Sequence, residues 1–460
     1  IYGEYVKDPV LGTYETVAYS ATAYAIPKIG FRALRGDLEK LITVETATNI
    51  ESKIGDIVTA NPLGYGLYIA LLNGNTQVYG YGVTNDPLPT LAFGGATEVD
   101  TYADARDYLG TREVYAMAPL TITSSILDTF KDHVNTYSAA INKHERIVFN
   151  NYQIPWANES DVSVNKQYLD GAMAADAAGT ARVLKQKSLA LQERRVFYTF
   201  PDVVYVQEQR HISTVAWTFM QKYYGFTESG TNTNRLYALL DEQVTLSSVH
   251  KTNPGKVYDI NTEITATVLA ALSQVTEKST YKMRVPLPGY YLNAMVAGQC
   301  SGQNPQQGFT NLPTTGFFAL KFSSDWFTEA QLNNIAEGGN YITIQPSAAA
   351  PIVCRHQLST DMTSVERREL NITKSLDFVS KFIRNGISGY IGRYNITPSF
   401  LSLLTTTLNA QATYLKRAGY VNDLIVLKVE QDPIQKDVVL VDLSVLPQYP
   451  VNYIKINLIF

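Results

Sequence analysis

The sequence predicts a multi-domain chain of mixed α/β and α+β class. A mixed, mainly parallel sheet with flanking helices is followed by a C-terminal module of two helices on an antiparallel sheet. Three observations predict this. Helix and strand signals alternate between residues 62 and 150, as they do when crossover helices join parallel strands. Two helices with clear start and stop residues come late in the chain. Segments of strand-like alternation then run to its end. The boundary is placed at residue 340, giving an α/β domain over 1–340 and an α+β domain over 341–460.

Each element has a local cause. Asn61-Pro62 reads as a cap with Pro at the first helical position, opening a helix over 63–74 that stops on Gly74. Residues 76–83, TQVYGYGV, read as the strand after it. Thr97 opens a helix in which Val99, Tyr102, Arg106 and Leu109 share a face, with Gly110 as its stop. A short strand over 113–120, a helix spaced by Ile126, Phe130, Val134 and Tyr137, and the strand RIVFN over 146–150 complete a β-α-β-α-β series. Residues 165–194 read as helical and 194–202 as a strand, with loop-rich excursions over 151–165 and 226–256. Asn261 can cap a further helix with the stripe Ile264, Val268, Leu272 and Val275. Residues 285–318 combine Pro and Gly punctuation with one short helical stretch.

In the C-terminal part, YITIQ (341–345) and IVCRHQL (352–358) read as paired strands. Ile372, Leu376, Val379 and Ile383 space a helix ending at Asn385-Gly386. Thr397 caps a second, with Pro398 at its first position and Leu401, Leu404, Leu408, Ala412 and Leu415 on one side before Gly419. Strands over 424–430, 437–446 and the terminal VNYIKINLIF follow. In that last segment Ile454, Ile456, Leu458 and Phe460 alternate with Lys455, Asn457 and Ile459. Termini usually fray into polar residues, so an apolar strand running to the last residue, in a chain starting with Ile, leads us to expect a longer natural polypeptide.

Composition narrows the function. Charged residues make up 17% of the chain, and 38 basic and 42 acidic residues are interspersed at net charge −4. No basic field exists to hold a phosphate backbone, which argues against nucleic-acid binding. Few charges and 31 tyrosines suit a surface covered by neighbours, and equally an ordinary neutral soluble protein. Two cysteines, Cys300 and Cys354, are too few for a disulfide framework or a cysteine-based zinc site. No apolar run reaches the ~18 residues of a membrane span, and no signal peptide is visible at the start.

No motif builds an active site, and neither a cofactor nor a metal is expected. His133, His144, His211, His250 and His356 stand apart without metal-ligand spacing. Gly225 to Thr231 copies the glycine spacing of a phosphate loop but lacks its lysine. NGISGYIG (385–392) misses a nucleophile turn by one position. Lys143-His-Glu-Arg146 reads as a polar turn before a strand, and Asp100, Asp104 and Asp107 as a solvated helix face.

Several stretches, in order, resemble the tail sheath proteins of contractile bacteriophages. They are NPLGYGLYIALLNGNTQVYGYGV, AMAPLT with the following helix and HERIVF, VAGQCSG with NLPTTGF, FTEAQLNNIAEGGNYITIQ, RHQLSTDMTSVERRELNITKSLDFVSKFI, GRYNITPSFLSLL and DVVLVDLSVLPQYPVNYIKINLIF. The resemblance implies a non-enzymatic virion subunit, made in the host cytoplasm, that polymerises with itself as stacked hexameric rings. Its further partners would be the tail tube protein and the baseplate and tail terminator proteins. Contraction would drive the tube through the host envelope for genome ejection. A sheath subunit of a bacteriocin- or secretion-type machine is the alternative, followed by an α/β enzyme and by a capsid or surface-layer block.

Sheath subunits of this kind carry terminal arms that add strands to the sheets of neighbours. The chain therefore resembles a core lacking those arms, and its Tyr, Thr and Asn richness points toward a giant phage. The resemblance implies strand exchange near Ile454, Lys455, Ile456 and Leu458, with a place in the core as the alternative reading of these apolar residues. It also implies that the C-terminal domain faces the tube, with Lys381, Arg384, Lys416 and Arg417 as candidate contacts. The bland reading of those four is stabilisation of helix C-termini.

Overall fold

In the computed structural model, the described residues are 5–7, 14–16, 42–54, 57, 62–74, 77–83, 98–139, 141–152, 181–182, 184–213, 277–320, 327–347, 350–452 and 454–458. In chain order the elements are β1 (Tyr5–Lys7), β2 (Tyr14–Thr16), β3 (Ile42–Val44), α1 (Ala47–Lys53), α2 (Pro62–Gly74), β4 (Val78–Gly80), α3 (Glu98–Gly110), β5 (Ala116–Met117) and α4 (Ser124–Tyr137). Next come β6 (Ile147–Asn151), β7 (Val196–Phe200), β8 (Val203–Ser213), β9 (Glu277–Pro288), α5 (Tyr290–Gly302), α6 (Glu329–Glu337), β10 (Asn340–Ile344) and β11 (Val353–Gln357). Besides a single helical turn at Val365–Arg368 and a 3-10 turn at Ser388–Tyr390, there follow α7 (Leu370–Ile387), α8 (Pro398–Arg417), β12 (Val421–Gln431) and β13 (Val439–Pro447).

The central sheet has the order β11-β10-β7-β6-β5. Its pairs β5–β6, β6–β7 and β7–β10 are parallel, and β10–β11 is antiparallel. β6 and β7 are buried along their whole length, because helices cover both faces, as parallel sheets require. One face packs Ile147, Phe149, Phe197 and Tyr341 against α5, through Tyr291, Leu292, Met295 and Val296. The other packs Val148, Val196 and Tyr198 under α4, through Ile126, Phe130 and Val134, and under Tyr102 of α3. Cys300 and Cys354 are free and buried, and burial pushes each thiol up to about 12.

Several sequence expectations are corrected here. The 76–83 strand shrinks to β4, which pairs antiparallel with β3 outside the central sheet. The β-α-β-α-β series therefore loses its first member. The expected boundary at residue 340 falls inside the sheet, since β10 pairs with β7 and β11 closes that edge. Local alternation cannot say which sheet a strand joins. Val99 is exposed, and Tyr102 and Ala105 carry the buried face of α3. β8 and β9 form a long antiparallel ladder that no local signal announced. The short helical stretch within 285–318 is α5, a fully developed central helix. The 226–256 excursion and the helix expected after Asn261 lie outside the described residues, as does most of 165–194.

α2 and α5 pack unusually close. A Cβ on Gly298 would meet the Ala70 carbonyl oxygen at 2.2 Å, and one on Gly74 would meet the Gly298 carbonyl at 2.5 Å. Only glycine admits such an approach. That explains the glycines of VAGQCSG without any ligand.

The second module sits on the first through α7. Arg195, at the start of β7, forms a two-pronged pair with Asp377 of α7 at 2.8 Å for each contact. The Tyr115 hydroxyl donates to the same carboxylate at 3.0 Å. Asp377 is 4% exposed. Burial lowers the Arg195 pKa, but its hydrogen bonds to Asp377 and the Asp377 charge, with smaller help from Tyr115 and Glu145, together outweigh it and the net shift is upward. Burial, then the Asp377 charge, push Tyr115 well above its ordinary range. Further ties are Arg194 to Thr373 at 3.0 Å and Lys374 to the Gln303 carbonyl at 2.7 Å.

The turn Lys143–Arg146 proves structural in a way its composition hid. Glu145 and Arg146 are buried, and the Arg146 guanidinium lies 4.3 Å over the Tyr137 ring. It donates to His133 Nε2 at 2.5 Å and to the Arg112 carbonyl at 2.6 Å. Burial, then the Arg146 charge, depress His133 from 6.5 to about 4.

Two outcomes follow. Asp377→Ala leaves the Arg195 charge buried and unpaired, and should cost about 3–5 kcal/mol in denaturant unfolding, whereas Arg195→Met with Asp377→Leu should recover most of it. Because His133 is protonated in the unfolded chain below its ordinary value but stays neutral when folded, its contribution to stability is present above pH 6.5 and is lost as pH falls toward 4. Wild type should therefore lose stability relative to His133→Gln over that window, read by melting at stepped pH.

Candidate functional site

The C-terminal module is a two-layer unit. Thr397 caps α8 by accepting from the Phe400 N–H at 3.2 Å, with Pro398 at the first position. Gly419, at φ +73°, ends it. Leu404, Leu408, Ala412 and Leu415 of α8 and Val379 and Ile383 of α7 pack against Val421, Leu424, Val426, Val441, Leu443 and Val445 of the hairpin. The expected stripes of both helices are thus the ones buried, although Leu401 and Leu376 lie only partly covered.

The hairpin beneath them is the unusual feature. Among the described residues β12 and β13 pair only with each other, in antiparallel register from Val421–Pro447 to Gln431–Val439. Each strand therefore turns one row of N–H and C=O groups outward, a template for another strand. A two-stranded sheet is marginal by itself; here the helices hold its inner face. Its outer face carries Leu427 at 65% exposure, Ile425 at 50% and Leu446 at 47%, beside a Lys428–Glu430 ion pair. At the tip, Asp432 accepts from the Ile434 and Gln435 N–H groups at 2.7 and 3.0 Å. Those bonds hold its carboxyl below the ordinary range.

The terminal segment is not the expected last strand of this sheet. Among the described residues, 454–458 form no ladder, and Ile454, Ile456 and Leu458 are 80%, 78% and 75% exposed. Lys455 is exposed as well. An alternating apolar strand and an unpaired sheet edge thus occur in one chain without meeting.

The four candidate tube contacts divide. Lys381 pairs with Glu113, which also contacts His144 at 3.0 Å. Burial pushes the Glu113 carboxyl up, but the bonds from Lys381 and His144 outweigh it and hold it low. Arg384 grips Glu145 at 2.5 and 2.6 Å. Both basic groups therefore hold α7 to the first module. Lys416 pairs with Asp423 at 2.8 Å, and Arg417 is exposed at the end of α8. The sequence held no sign of Glu113 and Glu145, which lie far from α7 along the chain.

An apolar groove of about 280 Å³ opens beside β5, lined by Leu63, Gly66, Tyr102, Met117, Phe130 and Ala294. Its carboxylate, Glu113, is the one already engaged by Lys381 and His144. Among the described residues, no three His, Cys, Asp or Glu side chains gather where they could hold a metal. No described helix is long and apolar enough to cross a membrane.

No family model matches the chain, and no curated protein matches it in sequence. Solved structures do. The contracted helical sheath of the anti-feeding prophage is similar at 10% identity, over 91% of this chain and 87% of that one, with a TM-score of 0.54. The contracted sheath complex of the extracellular contractile injection system PVC is similar at 9% identity, over 92% and 87%, at 0.55. A chain of the anti-feeding prophage baseplate follows at 11% identity, over 92% and 88%, at 0.53. The chain has the fold of these contractile-system proteins, as the resemblance to tail sheaths led us to expect.

Charge reversal should separate the four basic residues. Arg384→Glu faces buried Glu145 and should lower unfolding stability by about 3 kcal/mol or more. Arg417→Glu should stay within about 0.5 kcal/mol of wild type.

Proposed function

We propose that this chain is the structural subunit of a contractile tail sheath. It polymerises around a tail tube as stacked hexameric rings and contracts to drive the tube through a cell envelope. The observation that carries this reading is the open-edged β12–β13 hairpin, in a chain with the fold of contractile sheaths. A neighbour's extended segment added at such an edge makes main-chain hydrogen bonds in fixed register. Head-to-tail contacts that do not close build a helical array.

The 454–458 segment suits the donor role. Ile454, Ile456 and Leu458 would continue the apolar inner face of an acceptor hairpin, while Lys455 and Asn457 would lie with the polar residues of its outer face. The Asp377–Arg195 junction supports motion of each subunit as one body, with the change of packing placed between subunits. A difference of only ~1–3 kcal/mol per subunit between two packings, summed along a sheath, is enough to make the long form metastable.

For the tube side, Arg417 and Lys416 at the end of α8 are the proposed contacts: Lys381 and Arg384 are engaged in holding α7 to the first module, whereas the Lys416–Asp423 pair lies within the C-terminal module with both side chains well exposed. The baseplate and the tail terminator would bound the array at its two ends. We favour a bacteriophage tail, in which contraction serves genome ejection. The likeness to anti-feeding prophage and PVC sheaths supports an injection machine of another kind as the second reading. Purified particles that contain DNA would decide for the first.

Electron microscopy of the full chain expressed alone should show tubes of stacked rings, and uniformly monomeric particles would count against a sheath. In extended and contracted tubes the two modules should superpose as one body. Separation of Asp377 from Arg195 between the two states would refute rigid-body motion.

A further inference from the structure

Between Pro447 and the exposed 454–458 segment, the chain is strapped to the first module. The Tyr449 hydroxyl donates to Glu366 Oε1 at 2.6 Å. Pro450 lies over Gly308, where an added Cβ would stand 3.4 Å from the proline Cβ. Asn452 is held by three separate stretches of chain. Its Oδ1 accepts from the Thr310 hydroxyl at 2.9 Å, and its Nδ2 donates to Glu369 Oε1 at 3.1 Å and lies 3.3 Å from His356 Nε2. His356 and Glu369 are themselves 3.1 Å apart and almost wholly buried, His356 on β11 and Glu369 just before α7. The strap thus ends on a buried polar cluster.

The placement has a topological consequence. An apolar alternating segment soon after a strand ordinarily folds back as a hairpin, and residues 448–453 supply enough chain to reverse direction. A cis fold-back would place 454–458 on the free edge of β13 and occupy the edge another subunit needs. Instead, Tyr449, Pro450 and Asn452 carry the chain away from β13 to the first module.

We infer that residues 449–452 are a strap that forbids the C-terminal segment from completing its own hairpin and so reserves both for another copy of the chain. The inference rests on the reading of 454–458 as a donor strand given above. It adds a reason why donation occurs between chains and names its determinants as Tyr449 and Asn452 with Glu366, Thr310, His356 and Glu369.

The test is hydrogen exchange of the outward-facing β12 and β13 amides in the complete chain, at two concentrations differing by about tenfold. In wild type their protection should fall about in proportion on dilution, because the protecting strand comes from another molecule. In Tyr449→Phe with Asn452→Ala, protection should become independent of concentration and tube formation should be lost. Tyr449→Phe alone, which removes one hydroxyl and keeps the ring, should move both readouts part of the way. Protection in the double variant that still falls with dilution would overturn the strap while leaving strand donation standing. Wild-type edges unprotected at both concentrations would overturn the donor reading itself.

Discussion

The buried pair between Asp377 and Arg195 is the interaction on which the rest of the architecture depends. It joins the residue just before β7 to the middle of α7, and Tyr115, just before β5, closes it from the side. Around it, Lys381, Arg384, Arg194 and Lys374 each reach from one module to the other. Two layers that meet through apolar side chains alone can slide. A junction of buried charges with fixed geometry cannot slide without leaving a charge unpaired, which costs several kcal/mol.

This has a mechanical meaning. Force applied to the C-terminal module passes into the central sheet through α7, and the weakest places lie elsewhere. The hairpin β12–β13 is covered on one face by the helices, and the terminal segment beyond Asn452 joins no ladder among the described residues and is largely exposed. Stability is concentrated inside the subunit, while its unsatisfied backbone and apolar surface are kept at the edge. In the sheath role proposed above, a subunit would change neighbours without changing shape, and this division would permit it.

Polar residues in the core follow the same logic. Arg146, 1% exposed, forms no ion pair with a carboxylate among the described residues and is held by a ring face, a carbonyl and a neutral His133. Asn452, near the end of the chain, depends on His356 and Glu369, which belong to the central sheet and the start of α7. Such groups fix the geometry of their surroundings because each alternative arrangement strands a buried donor or acceptor.

The sequence by itself determined the local elements. Thr397, Pro398 and Gly419 bounded α8, the spacing of Ile372 to Ile383 marked α7, and the alternation in 437–446 marked β13, because caps and periodicity act within a few residues. The parallel sheet was legible from the order of its elements. What only the tertiary structure decided was which strands are neighbours, so that β10 and β11 joined the first sheet, β4 left it, and β8 found β9. It also decided that Lys381 and Arg384 meet Glu113 and Glu145, and that the terminal alternating strand stands free while the hairpin it resembles stays open. Those outcomes depend on contacts between residues distant along the chain, where a local pattern offers many equivalent partners and only the packed core selects one.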